Sequence, residues 1–250
     1  MTESGATCAG ERLLPKDLDT SLPSPASFHC PGPSFSKVCA MKVWTAGLRW
    51  AWHYRKQSRL GLDRVVVLDL EATTAADRPP NAIRDVIELG VCELNLSDGS
   101  ARRAASVIVR PSSSEVTAFA TKLTGITAER AAKGVPFVDA IGWLVEEYQP
   151  ASLPWAAYGN FDRAQLISQC EREGLEFPLN PDYLNIKLLA ALRFGWARQK
   201  GLSSTLDALA LKPEGRAHRG RDDAVNAACV LYRALQPALR ADGCQFNASD

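Results

Sequence analysis

The stretch Arg64-Val-Val-Val-Leu-Asp-Leu-Glu71 limits the fold more than any other part of the chain. A β-branched, apolar run of this kind is typical of a strand buried on both faces near the centre of a sheet. It ends in two acids spaced two apart, Asp69 and Glu71. Side chains at i and i+2 of a strand point to one face, so both carboxylates project together from the end of a buried strand. Like charges side by side repel, and withdrawal from water makes ionisation harder still. Divalent cations remove both penalties, and magnesium takes oxygen ligands. A strand end that reached solvent would carry the same two acids without a metal.

The chain downstream alternates between the two periodicities. Residues 86–96 and 106–109 read as further strands, with the turn-forming Asn95-Leu-Ser-Asp-Gly99 between them. Phe137, Ile141, Leu144, Val145 and Tyr148 recur at helical spacing. Ala156-Ala-Tyr158 reads as a short strand after Pro154, and residues 161–170 as a helix. Residues 183–193 fit a short strand running into a helix. Ser203 is placed to cap a helix through Leu209. The last helix is long, with Val225, Cys229, Tyr232 and Leu235 on one stripe. Such alternation implies an α/β layered fold.

Two further polar constellations lie at element ends. In Tyr158-Gly-Asn-Phe-Asp162 a short apolar strand ends in Gly-Asn, and Asp162 enters the first turn of a helix. Asn160 or Asp162 could serve only as a cap there. In His218-Arg-Gly-Arg-Asp-Asp223 the histidine precedes the last helix and Asp223 falls within its first turns. Five positions apart, the two would not share a face of one regular helix, so Gly220 is read as the turn that aims both at one site. The plainer reading is a pair of charges favourable to the helix dipole. Taken together, Asp69, Glu71, Asp162 and Asp223 with one histidine are the equipment of two-metal phosphodiester hydrolysis, in which two ions about 3.5–4 Å apart clamp the attacking and leaving oxygens. A histidine near its natural pKa can accept the proton of the attacking water.

Composition adds limits. With 250 residues, 46% of them hydrophobic and 23% charged, the chain is long enough for a globular core. The net charge of +1 gives no support for a nucleic-acid binder, although carboxylates committed to metals would mask such a role. Seven cysteines without a CxxC pair argue against a disulfide scaffold or zinc ribbon and favour a reducing, cytoplasmic setting. No apolar run is long enough to span a bilayer, so no membrane partner is expected. Residues 1–62 read as a poorly ordered extension, 63–240 as the globular domain and 241–250 as a tail. Between Thr20 and Leu62 there is no acidic residue, and from Met41 the segment is basic and aromatic. It fits a tail packed on the domain, an organelle-targeting segment or an RNA-contacting arm.

The motifs Leu68-Asp-Leu-Glu-Ala-Thr73, Asn160-Phe-Asp162 and His218 through Asp223 resemble those of the DnaQ-like, DEDDh-type 3′→5′ exonucleases. Asp85-Val-Ile-Glu-Leu-Gly90, Val109-Arg-Pro111, Phe119 with Leu123-Thr-Gly-Ile-Thr127, and Gly215 through Ala224 resemble the Eri-type exoribonuclease branch, which includes the histone-mRNA 3′-exonuclease and KapD-like proteins. The resemblance implies an RNase H-like fold with a central mixed five-stranded sheet flanked by helices. It implies hydrolysis from the 3′ end of single-stranded RNA with release of nucleoside 5′-monophosphates, using two Mg²⁺ ions for which Mn²⁺ substitutes. By the same resemblance Asp69 bridges both metals, Glu71 and Asp223 complete the tighter site, Asp162 serves the second and His218 is the general base. Phe119 and Phe161 stack on the terminal nucleotide, Leu123 wedges beside its base, and backbone at Ala72 and Thr73 meets the sugar. Core packing is the other reading of Phe119 and Leu123. Leu70 departs from the branch, which often has an aromatic residue there, and no SAP-like RNA-binding segment is recognisable. A DNA-trimming or proofreading exonuclease and a non-catalytic RNA-binding scaffold are the competing functions.

Overall fold

The computed structural model describes residues 63–236, apart from 78, 80 and 81. The expectations for residues 1–62 and 241–250 therefore lie outside the described residues. Strand β1 (Arg64–Ala72) lies in the middle of a five-stranded sheet of order β3-β2-β1-β4-β5. It pairs antiparallel with β2 (Val86–Asn95), which pairs antiparallel with β3 (Ala101–Ile108). On its other side β1 runs parallel to β4 (Trp155–Ala157), and β4 runs parallel to β5 (Tyr183–Asn185). The expected mixed five-stranded sheet is present.

Alternation along β1 divides the core in two. Val66, Leu68 and Leu70 pack against helix α3 (Phe137–Tyr148) and helix α4 (Phe161–Glu173). Val65 and Val67 pack on the opposite side, against α5 (Ile186–Arg193), α6 (Leu202–Ala208) and α7 (Gly220–Leu235). Asp69 and Glu71 continue this second stripe, so the period of two that buries the valines also aims both carboxylates at the start of α7. Strand β4 pairs with β1 only at Val66–Leu68. The acids therefore project beyond the end of β4, where the sheet opens.

Helix α7 can come close because both surfaces are glycine. A Cβ added to Gly90 on β2 would sit 1.9 Å from the Gly220 carbonyl carbon. Gly90 is the cross-strand partner of Asp69, so this contact sets the distance between α7 and the carboxylate-bearing strand.

Several local expectations need correction. Strand β3 begins at Ala101, five residues before the run starting at Ser106, and Val109 forms only an isolated bridge with Val135. The earlier half carries no clear strand pattern because it is an edge strand bearing the exposed Arg102 and Arg103. A register shift between Val91 and Glu93 and a φ of 51° at Arg103 further break the alternation. Ser203 lies inside α6, whose N-cap is Gly201. The buried side of α7 is Ala224, Ala227, Ala228, Leu231 and Ala234, with Val230. Val225, Cys229 and Tyr232 flank that side and Leu235 is exposed, because alanines fit where a helix lies close on a sheet. Two short helices, α1 (Ala118–Thr124) and α2 (Ala128–Ala132), are built on Thr117 and Thr127, whose hydroxyls cap them.

Replacing Gly90 with alanine is expected to destabilise the protein by about 3 kcal/mol or more, since the intruding methyl meets backbone that cannot yield. The thermal midpoint should fall by roughly 6–12 °C. An unchanged midpoint in differential scanning calorimetry would show that α7 does not depend on this contact.

Candidate active site

A cavity of about 400 Å³ opens at the end of β1. Asp69 and Glu71 reach it from the strand, Asp162 from the first turn of α4, Asp223 from the first turn of α7, and His218 from the loop before α7. The structure thus brings together all five residues expected to be catalytic, from three separate parts of the chain.

Asp162 and Asp223 are each held by a specific backbone contact. Asn160, the N-cap of α4, makes no side-chain capping bond. Asp162 Oδ1 accepts the Leu70 N–H at 2.9 Å, binding α4 to β1 between the two strand carboxylates. Asp223 Oδ2 accepts the His218 N–H at 2.8 Å. His218 itself adopts a left-handed backbone, φ 60°. The turn expected at Gly220 is therefore made at His218, two residues earlier, and Gly220 serves the close approach to Gly90. His218 Nδ1 lies 3.9 Å from Glu71 Oε1, and the imidazole is about half exposed at 51%. Ligand-type atoms of Glu71, His218 and Asp223 all fall within 4.8 Å of one another.

Electrostatically the cluster is frustrated. The Asp69 carboxyl is pushed well above the usual carboxylate range by its removal from water, then by Asp162 and Glu71. Glu71 is raised to about 8 by burial, with Asp223 and Glu88 adding to the shift. Burial raises Asp162 to about 6, against the Leu70 N–H that favours its charged form. Asp223 is raised by burial and eased by the His218 N–H. A set of crowded oxygen donors with too little positive charge nearby is what a pair of divalent cations fits.

The Arg219 guanidinium, which eases the shift of Glu71, is held by a residue to which sequence reasoning gives no role. Glu88, fully buried on β2, pairs across the sheet with Glu71. Its carboxylate accepts the Gly220 N–H at 3.1 Å, the Ser106 hydroxyl at 2.7 Å and Arg219 at 3.1 Å. It clasps the start of α7 to the sheet. An acid in the buried middle of a largely apolar strand is the signal that could have found it. Tyr158, at the start of the Tyr158–Asp162 segment, also lines the cavity, as do Arg84 and Leu202, to which no sequence motif points.

The expected substrate contacts divide. Ala72, Thr73, Leu123 and Phe161 line the cavity, and Phe161 is 44% exposed. The Thr73 N–H is already donated to the Asp85 carbonyl at 2.9 Å. Phe119 lies outside the cavity lining, one turn before Leu123 on α1, and its exposure excludes the core-packing reading for it.

With this geometry in view, the RNase_T exonuclease family matches residues 66–231, from the third residue of β1 into the last helix. The chain belongs to the RNase_T exonuclease family. Members of this family depend on divalent metal ions. The human 3′-5′ exoribonuclease 1 is 26% identical over 198 residues, covering 75% of this chain and 55% of that protein. This chain therefore spans about half the length of that relative. The Drosophila melanogaster 3′-5′ exonuclease Snipper is 26% identical over 221 residues, 77% of this chain and 76% of that one. The nuclease domain of 3′hExo, a DEDDh family member bound to rAMP, superposes with a TM-score of 0.64 at 26% identity, over 69% of this chain and 92% of that domain. A 3′-exonuclease solved for its recognition of the histone mRNA stem-loop gives 0.64 at 25% identity, covering 69% and 81%. The RNase H-like fold expected from the sequence is thereby established. No helix among the described residues is long and apolar enough to cross a membrane.

The raised carboxyls of this RNase_T exonuclease make its metal-free stability fall with pH. Glu71 titrates near 4.5 in the unfolded chain and near 8 in the native one. Between those values the native state holds a proton that the unfolded state has released, so stability present below about pH 4.5 is lost as pH rises through about 8. In EDTA the melting temperature should drop across that window, and Glu71→Gln should flatten the drop. Mn²⁺ should restore stability at about pH 8, because it binds the native state alone. A level profile in EDTA, identical in the variant, would show that the carboxylates are not crowded in solution.

Proposed function

We propose that this protein is a divalent-metal-dependent exonuclease that removes nucleoside 5′-monophosphates one at a time from the 3′ end of single-stranded RNA. The convergence of Asp69, Glu71, Asp162, Asp223 and His218 on one cavity carries this reading. The relatives named as 3′-5′ exoribonucleases support RNA over DNA as the substrate.

The four carboxylates would hold two Mg²⁺ ions, with Mn²⁺ as a substitute. Asp69, Glu71 and Asp223 would hold one ion, and Asp69 with Asp162 the other. When bound, the ions supply Lewis-acid stabilisation of the charge that builds on the phosphodiester. The chain's own residues do the rest. Phe161, exposed at the cavity, stacks on the terminal base, and Leu123 packs beside it. Backbone at Ala72 and Thr73 passes beside the sugar; since the Thr73 N–H is taken, it is not the group that reads a hydroxyl there. Phe119 stands farther out, where it meets the strand beyond the cavity. His218 accepts the proton of the attacking water at Nε2, the ring nitrogen that does not face Glu71. The water oxygen bonds to phosphorus as the P–O3′ bond breaks, the terminal nucleotide leaves as a 5′-monophosphate, and the departing O3′ takes a proton from solvent to become the 3′-hydroxyl of the shortened strand.

A denaturing gel of 5′-labelled single-stranded RNA and matching DNA, with Mg²⁺ and with EDTA, tests this reading. Products shortening from the 3′ end on RNA, absent with EDTA, are expected. A ladder mainly on DNA would point to a trimming or proofreading enzyme, and no ladder even with Mn²⁺ would point to a binding protein. Asp69→Ala should abolish turnover with an unchanged circular dichroism spectrum. His218→Ala should slow hydrolysis about 10²- to 10⁴-fold while RNA affinity changes little. Parallel losses in rate and affinity would make His218 a binding group.

A further inference from the structure

The cavity proposed to seat an RNA 3′ end is lined by four carboxylates, yet its occupant is a polyanion. Among its lining residues Arg84 alone carries a permanent positive charge. The backbone there is fixed. The Arg84 carbonyl accepts Gln165 Nε2 at 2.9 Å and Arg172 at 3.4 Å. The neighbouring Asp85 carboxylate is fully buried, where it accepts the Ser113 N–H at 2.8 Å, the Ser114 hydroxyl at 2.7 Å and an ion pair from Arg172.

The Arg84 side chain is treated differently. Its Nε is shielded from water and has no hydrogen-bond partner, and its guanidinium forms no ion pair among the described residues. The two comparable arginines at this end of the sheet are both paired with fully buried acids, Arg172 with Asp85 and Arg219 with Glu88. Arg219 also leaves its Nε unpartnered, but a terminal nitrogen of the same group is bound to Glu88. Arg84 instead lies with its guanidinium carbon 5.7 Å from the centre of the Phe161 ring, the residue next to Asp162. That distance suits a cation–π contact, which orients the group without using any of its N–H donors. A buried donor without an acceptor is unfavourable, and the penalty is removed when an acceptor arrives. The flat, always-charged fork of arginine matches the oxygens of a phosphate.

We infer that Arg84 is a phosphate-binding residue of the substrate cleft. Its guanidinium takes a nonbridging oxygen of a phosphodiester in the strand whose 3′ end lies among the carboxylates, and Phe161 holds it ready. The inference rests on the exonuclease reading of the cavity. It adds a positive contact to a site otherwise built from acids and places that contact beside the base-stacking ring.

The test is the salt dependence of binding. A short labelled single-stranded RNA is titrated with the full chain in Ca²⁺, substituted for Mg²⁺ to slow cleavage, across a range of KCl concentrations. Wild type is compared with Arg84→Gln and Arg84→Lys, after circular dichroism confirms that all three fold. Arg84→Gln should weaken binding roughly tenfold at about 0.1 M salt, and the slope of log K against log salt should become shallower by about 0.7, the value of one phosphate contact on a single strand. Arg84→Lys should recover the slope. If wild type binds and trims RNA while Arg84→Gln leaves the slope untouched, the arginine acts only by packing on Phe161 and the inference fails alone. It fails in the same way if Arg84→Lys behaves like the glutamine variant. If wild type neither binds nor trims RNA, the reading of the cavity falls and the inference falls with it.

Discussion

Mutual repulsion among carboxylates at the end of β1 is the constraint around which the rest of the domain is arranged. Asp69 and Glu71 are placed by the same alternation that buries Val65 and Val67, so they cannot turn away without exposing the valines. Asp162 and Asp223 are then brought against them by helices with their own apolar faces to bury. Left alone, such a cluster holds protons at neutral pH, as the raised Glu71 shows. The fold does not relieve this with salt bridges inside the cavity. It uses neutral hydrogen-bond donors, chiefly the backbone N–H of Leu70 for Asp162 and of His218 for Asp223. These fix positions while leaving the other lone pairs available for a cation. The destabilisation is tolerable because the sheet behind it is a dry core.

The geometry of that cluster depends on how closely α7 lies on the sheet. Gly90 and Gly220 allow the approach, and Glu88 secures it from below by binding the Gly220 N–H and Arg219. The strained backbone of His218 belongs to the same device. A non-glycine residue at φ 60° is unfavourable by itself, and it persists because its N–H is bound to Asp223 on one side of the turn and Glu88 anchors Gly220 on the other. The histidine is thus positioned relative to Asp223 by two hydrogen bonds and a glycine contact, with little contribution from its own side chain.

Much of this is legible in the sequence, for identifiable reasons. The β-branched run, the DxE spacing and the H-x4-D spacing are local patterns, and they lead to the strand, carboxylates and histidine that the structure gathers around one cavity. What sequence does not supply are the features fixed by contacts between distant segments. Gly220 reads as a hinge because a glycine suggests backbone freedom, whereas its role is to lack a Cβ opposite Gly90, far away in the chain. Glu88 lies inside the Asp85–Gly90 motif without an evident role, since nothing local says that an acid in a strand faces another acid across the ladder. The start of β3 escapes a reading by alternation because an edge strand with a bulge loses that pattern. Phe119 and Leu123 are one helical turn apart, yet only Leu123 borders the cavity, a difference of helix orientation that spacing does not contain.

The net charge of +1 shows why whole-chain electrostatics misleads. Charges separated by more than about 8–10 Å are largely screened at physiological salt, so a strand entering the cleft experiences the groups that line it and little else. Those groups are acids that require cations, one half-exposed histidine, and an arginine held against Phe161. Bound divalent ions would reverse the local sign at the scissile phosphate. On the proposed reading, a second positive contact farther along the strand would keep the sugar–phosphate chain from swinging away from the centre, since base stacking on one exposed phenylalanine would fix a plane but not a direction. An arginine is suited to this because its planar guanidinium matches the oxygens of a phosphate. On that reading the acidic cluster and the arginine answer one requirement, to hold a polyanion by its end, and neither is visible in the sum of charges.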